Sequence, residues 1–279
     1  MRSKKSFLFL LAIAALLPFT IQWIKPYLEE RLPDTFSLDR IAIDLQGDLP
    51  HFAMPDLPIF AAQEFHYLGH GGQAVAFASA DGKYVLKFFL TKQLHGEKRF
   101  PIPKPTHWIP AHRKARQEQR EQARQRSLMK AMRNYCIAFE KIPEKTGIIG
   151  LHLVAADENL PVVILLDQNG RRHPVDLNRA SFVFQHKAQL VKDKLASAST
   201  VDEKQRVLAA LNKFFEERAR AGFVDVERSF MIEMNYGFLG EIPIQLDVGN
   251  IEFLEPLQSS PEEEIGRIQG LLRNWAMGV

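Results

Sequence analysis

The chain has 279 residues, 46% of them hydrophobic and 25% charged, which is the balance of a globular protein able to bury a core and not of a disordered or fibrous one. Its formal net charge of +3 is too small to argue for a nucleic-acid partner, and none is expected. A single cysteine, Cys136, excludes an intramolecular disulfide and any zinc site built on several thiolates.

The chain opens with Arg2, Lys4 and Lys5, and then runs from Ser6 to Ile24 without Asn, Asp, Glu, Lys or Arg. At about 1.5 Å per helical residue, such a run just spans the roughly 30 Å hydrocarbon core of a bilayer. Residues 1–24 are therefore expected to be a transmembrane anchor. The alternative is a cleaved signal peptide with its apolar stretch at Phe7 to Leu17, ended by Pro18. The missing small-x-small cleavage site favours the anchor. The larger basic flank precedes the segment, so a single-pass orientation with a cytoplasmic N-terminus is expected; cleavage would instead release a secreted chain.

Residues 25–62 carry Pro26, Pro33, Pro50, Pro55 and Pro58 and read as a tether, with strand-like alternation only at Ile41 to Leu45. From there to residue 279 extends the expected domain. Phe65 to Leu68, Val75 to Ala78 and Tyr84 to Leu90 are β-prone runs separated by glycine turns, which predicts three antiparallel strands. A proline-rich loop with Pro101, Pro103, Pro105 and Pro110 precedes Ala111 to Ile142, which has no proline or glycine and predicts a long helix. Its apolar stripe is Leu128, Met132, Tyr135 and Phe139, with Cys136 beside it as core. Basic residues crowd positions 113–133 and could meet anionic lipid or an acidic protein partner.

Further strands are predicted at Ile148 to Ala155, Val162 to Asp167 and Phe182 to Phe184. A helix is predicted from Val201 to Ala221, capped by Thr200 with Glu203 and stopped by Gly222. Two short strands should flank Gly240, and Pro261 to Ala276 should form a last amphipathic helix. His66 and His70 lie on a strand, where their spacing has no metal-binding geometry.

Leu68-Gly69-His70-Gly71-Gly72-Gln73-Ala74-Val75-Ala76 resembles the kinase glycine-rich loop, and Tyr84-Val85-Leu86-Lys87-Phe88 resembles the strand that carries the kinase lysine. Gly222 to Glu227 stands where kinases carry His-Arg-Asp, and Leu246-Asp247-Val248-Gly249 is similar to the region of Asp-Phe-Gly. In this order the motifs resemble the protein kinase-like superfamily over about Phe65 to Leu254. The resemblance implies an α+β, two-lobed kinase-like fold, with an N-terminal lobe at about 63–188 and a reduced C-terminal lobe at about 189–279. It implies that Gly69, Gly71 and Gly72 approach phosphate oxygens, that Lys87 pairs with a helix carboxylate, here Glu121, and that Asn235 and Asp247 hold Mg²⁺ on ATP. Glu227 falls at the catalytic base position and Asp225 at the histidine position, with Asp225 the alternative base if the loop is rearranged.

The family's asparagine five residues after the base is replaced by Ile232, and no activation segment fits between Gly249 and Val279. These departures lead to the expectation of a membrane-anchored pseudokinase, a binding or regulatory protein that retains nucleotide binding. An active ATP- and Mg²⁺-dependent phosphotransferase, and a tethered interaction domain unrelated to kinases, are the alternatives.

Overall fold

The computed structural model describes residues 38–43, 49–55, 63–91, 111–154, 159–225, 232–254 and 261–276. The expected anchor at residues 1–24, the proline-rich loop and Glu227 lie outside the described residues, as does most of the expected tether. Among the described residues no helix is long and apolar enough to cross a membrane.

The architecture is α+β, a seven-stranded mixed sheet plus helices. Its strands are β1 (Glu64–His70), β2 (Ala74–Ser79), β3 (Tyr84–Phe89), β4 (Ile148–His152), β5 (Val162–Leu166), β6 (Arg172–Asp176) and β7 (Phe182–His186), in the order β4-β7-β3-β2-β1-β5-β6. The three strands expected first in the chain form a meander. Asp81 accepts the Ser79 hydroxyl at 2.7 Å in the β2–β3 turn, and Gly82 there takes the positive φ (71°) that favours glycine. β1 and β5 are parallel neighbours, while the other adjacent pairs run antiparallel.

Central strands covered on both faces must be apolar almost throughout, and β3 is. Leu86 and Phe88 point into one core with Phe65, Phe77, Leu165, Phe182 and Phe184. Period-two alternation sends Val85, Lys87 and Phe89 to the other face. There Phe89 packs edge-on to Tyr135, with ring centroids 5.3 Å apart. Tyr135 belongs to α1 (Ala111–Lys141), whose second half lays Leu128, Met132 and Tyr135 into a second core. The predicted stripe is thus the packing face. The first half of α1 is solvated, with Arg116, Arg120 and Arg126 exposed.

Two parts of the expected tether fall within the described residues, and both are docked. Ile41 and Leu49 are core residues, Met54 packs over Gly150, and Ala42 makes one isolated antiparallel bridge to Ala180. The expected strand at Ile41 to Leu45 is therefore a single bridge where it is described.

The later part of the chain adds α2 (Pro143–Thr146), β8 (Gln189–Leu190), α3 (Val191–Ser197), α4 (Val201–Arg220), β9 (Phe223–Asp225), α5 (Ile232–Asn235), β10 (Tyr236–Leu239), β11 (Ile242–Gln245), β12 (Ile251–Phe253) and α6 (Pro261–Ala276). Thr200 and Glu203 close the predicted capping box on α4. Gly222, with φ 84°, turns the chain where a Cβ would strike the Leu254 carbonyl, so glycine is required there. β10 lies between β11 and β8, and β9 pairs with β12. A third core joins α4 to α6 through Leu211, Phe215, Ile268 and Leu272.

Candidate functional site

A cleft of about 870 Å³ lies between the β1–β2 hairpin, β3, α1, the segment after β7, and the residues around α5 and β11. Lys87 enters it from β3. Its Nζ donates to the Leu246 carbonyl at 2.8 Å and to the Tyr135 hydroxyl at 3.1 Å. The Tyr135 hydroxyl in turn donates to Asp247 Oδ1 at 3.3 Å. A cation from the sheet, a phenol from α1 and a carboxylate from the segment after β11 are thus joined in one chain of hydrogen bonds.

The electrostatics follow from burial and from Asp247. Burial pushes the Lys87 ammonium below its ordinary pKa, and the Asp247 charge opposes that shift. Burial also lifts the Tyr135 phenol well above its ordinary value, and Asp247 adds to the rise. Tyr135 therefore keeps its proton at physiological pH and acts as a fixed donor to the carboxylate.

Asp247 is exposed to the cleft and is held by its own turn, in which Oδ1 accepts the Gly249 N–H at 2.9 Å. The side-chain amide of Asn134, on α1, donates to the Gly249 carbonyl at 2.8 Å. Asp-x-Gly turns are common because a short carboxylate caps the backbone two residues on; here the turn is also anchored to a buried helix position. Asn235, the last residue of α5, lines the same cleft, and its carbonyl accepts the Leu246 N–H at 2.7 Å.

Gly69, Gly71 and Gly72 form the cleft's other wall. The hairpin closes through the Gly71 N–H to the Ala74 carbonyl at 2.8 Å. A side-chain bond from Gln73 to Ser127 at 2.8 Å ties its tip to α1. None of the three glycines has positive φ. A Cβ added at Gly69 or Gly72 would meet nothing within 4 Å, and at Gly71 only the Ala74 carbonyl at 4.0 Å. Neither backbone strain nor crowding by the described residues accounts for glycine at these positions.

Of the nine residues singled out from sequence, Gly69, Gly71, Gly72, Lys87, Asn235 and Asp247 are brought to this cleft. Glu121 lies elsewhere, ion-paired with Arg124 at 3.2 Å on the solvated half of α1. The helix group that reaches Lys87 is Tyr135, about four turns further along α1. Asp225 ends β9 with its backbone opposite Ile251, and Glu227 falls outside the described residues. Tyr135 was legible only as part of the apolar stripe. The available signal was its hydroxyl, because a tyrosine in a buried stripe has to find a hydrogen-bond partner. Gln185, His186, Asp193 and Met234 also line the cleft without a sequence motif to mark them.

Among the described residues no group of three or more His, Cys, Asp or Glu is placed to hold a metal ion. No protein-family model matches the chain, and no curated protein matches it. What the chain does is therefore read from the cleft.

Proposed function

We propose that the protein is a membrane-anchored, kinase-like module that binds a nucleotide and acts through binding, not phosphoryl transfer. The observation that carries this is the pairing of two features across one cleft. Three glycines line one wall with open space where a Cβ would stand, and opposite them Lys87 and Asp247 are linked through Tyr135. A wall without overlying Cβ atoms lets phosphate oxygens come close to the backbone, and the half-buried Lys87 ammonium suits their charge. Neither positive φ nor crowding by the described residues requires glycine at these three positions. Facing one cleft, Lys87 and Asp247 support the kinase-like reading over an unrelated interaction domain.

Asp247 and Asn235 offer two oxygen donors. That set is too small to be a metal cage of its own and fits a magnesium ion that completes its shell with water and phosphate oxygens, whose charge it would neutralise. Non-catalytic action is supported by the site's own chemistry. Active protein kinases need an ion pair between this lysine and a helix glutamate, whereas here the helix supplies a neutral phenol and Glu121 is committed to Arg124. The anchor rests on the uncharged run from Ser6 to Ile24.

Thermal unfolding of the detergent-solubilised full-length chain with ATP and Mg²⁺ tests the proposal. Ligand at a hundredfold excess over Kd should add about 2.7 kcal/mol of stability, and Lys87→Ala and Asp247→Ala should each abolish the gain. Gly72→Ala should change the ligand-free stability by less than about 0.5 kcal/mol, as at an uncrowded surface site, yet still weaken the ATP-dependent gain. A folded chain that gains nothing at millimolar ATP would end the nucleotide reading and leave a tethered interaction domain. Transfer of the γ-phosphoryl group would instead make it an enzyme.

A further inference from the structure

Arg218 stands in the last turn of α4 with no solvent exposure. Its Nη1 donates to the Tyr236 hydroxyl at 2.8 Å and to the Gln245 side-chain carbonyl at 2.7 Å. Its guanidinium lies 5.4 Å from the Phe215 ring centre and 5.8 Å from that of Tyr236, a cation–π environment that suits arginine. Burying a charge is costly, and an apolar side chain of similar volume would often be as stabilising in such a core. What a buried guanidinium adds is directional bonding in a fixed fork.

These two acceptors, among the partners of Arg218, are not scattered. Tyr236 and Gln245 are register partners on β10 and β11. Tyr236 directly follows Asn235, and Gln245 stands two residues before Asp247 and donates to the Asp247 carbonyl at 3.0 Å. Between them the Leu246 N–H bonds the Asn235 carbonyl, and the Leu246 carbonyl accepts Lys87. A single buried cation thus clamps the strand ends that deliver both oxygen donors to the cleft, directly beside the carbonyl that holds the lysine.

We infer that Arg218 is a positioning residue that sets the separation of Asn235 and Asp247 and thereby the cleft's response to Mg²⁺; this rests on the nucleotide-binding reading. Removing one arm of the clamp loosens the strand pair without emptying the core, so Tyr236→Phe is the informative variant, with Arg218→Lys beside it. Lysine keeps the charge and loses the fork.

Two measurements on the full-length chain test this. In amide hydrogen exchange without ligand, Leu246 should exchange about tenfold faster in Tyr236→Phe, with Leu86 and Phe184 in the large sheet unchanged, because local opening is governed by local bonds. In ATP binding measured with Mg²⁺ and with EDTA, the Mg²⁺-dependent gain in affinity should fall about tenfold, while affinity in EDTA stays within about twofold. Arg218→Lys should follow the same pattern. Unchanged Leu246 exchange, or equal loss of affinity with and without Mg²⁺, would assign Arg218 to the core alone and overturn the inference. A wild type that binds no ATP overturns the cleft reading and this inference with it. Wild-type binding alongside an unaltered Tyr236→Phe overturns the inference alone.

Discussion

Side chains at the cleft take their properties from how deeply they are placed. Lys87 is the one charge in an apolar strand, and period-two alternation turns it toward α1, where Tyr135 and the Leu246 carbonyl meet it. One residue beyond Tyr135, the Cys136 thiol is buried against the same core. Burial, with the Glu140 charge adding, pushes it up to about 12. The native state then holds a proton that the unfolded thiol releases above about pH 8.5. Stability should therefore fall as pH rises from there toward 12. Urea midpoints measured between pH 8 and 10 should drop, and the drop should be smaller in Cys136→Ala. Native Cys136 should also resist thiol reagents at neutral pH, reacting only as the protein unfolds; rapid labelling of the folded chain would place the thiol at the surface instead.

Elements with long periodic signals form as the sequence indicates, as do the two short strands that flank Gly240, β10 and β11, whereas the shortest strands do not announce themselves. α1, α4 and α6 follow their stripes, caps and stops closely. In α4, Thr200 accepts the Glu203 N–H at 3.2 Å, and Glu203 accepts the N–H groups of Ser199 and Thr200. Those backbone bonds hold the Glu203 carboxyl below its ordinary value, so this half of the cap is present near neutral pH and is lost as pH falls through the depressed pKa. Thr200→Ala should cost about 1 kcal/mol in urea unfolding; an unchanged midpoint would mean that packing of α4 against α6 alone sets its stability. By contrast β8, β9 and β12 are two or three residues long, too short for any period to register. β6 contains Pro174 and polar neighbours and is tolerated because it lies at the sheet's edge.

At the scale of the whole molecule, the described domain sits behind a segment whose uncharged apolar run predicts membrane insertion. The full-length chain should sediment with membranes and resist extraction by high salt and alkaline carbonate, and a chain lacking residues 1–24 should be released. Extraction of the full-length chain by salt alone would mean that the basic face of α1 holds it to lipid, with no spanning helix. Parts of the expected tether are packed into the domain through Ile41, Leu49 and Met54, so residues 25–62 are not a free linker along their whole length.

The sequence by itself determined the α+β class, the first three strands, the long helices and the cap of α4, because hydrophobic period, glycine turns and capping are local and are written in neighbouring positions; the six residues that share the cleft were singled out by the resemblance to kinase motifs and not by any such local pattern. Only the tertiary structure decided that Tyr135 and not Glu121 meets Lys87, that Arg218 ties β10 to β11, and that β5 lies parallel to β1. Those depend on which faces meet across long stretches of chain, and contact between residues as far apart as Lys87 and Leu246 is selected by the packing of the whole core, not by any local preference.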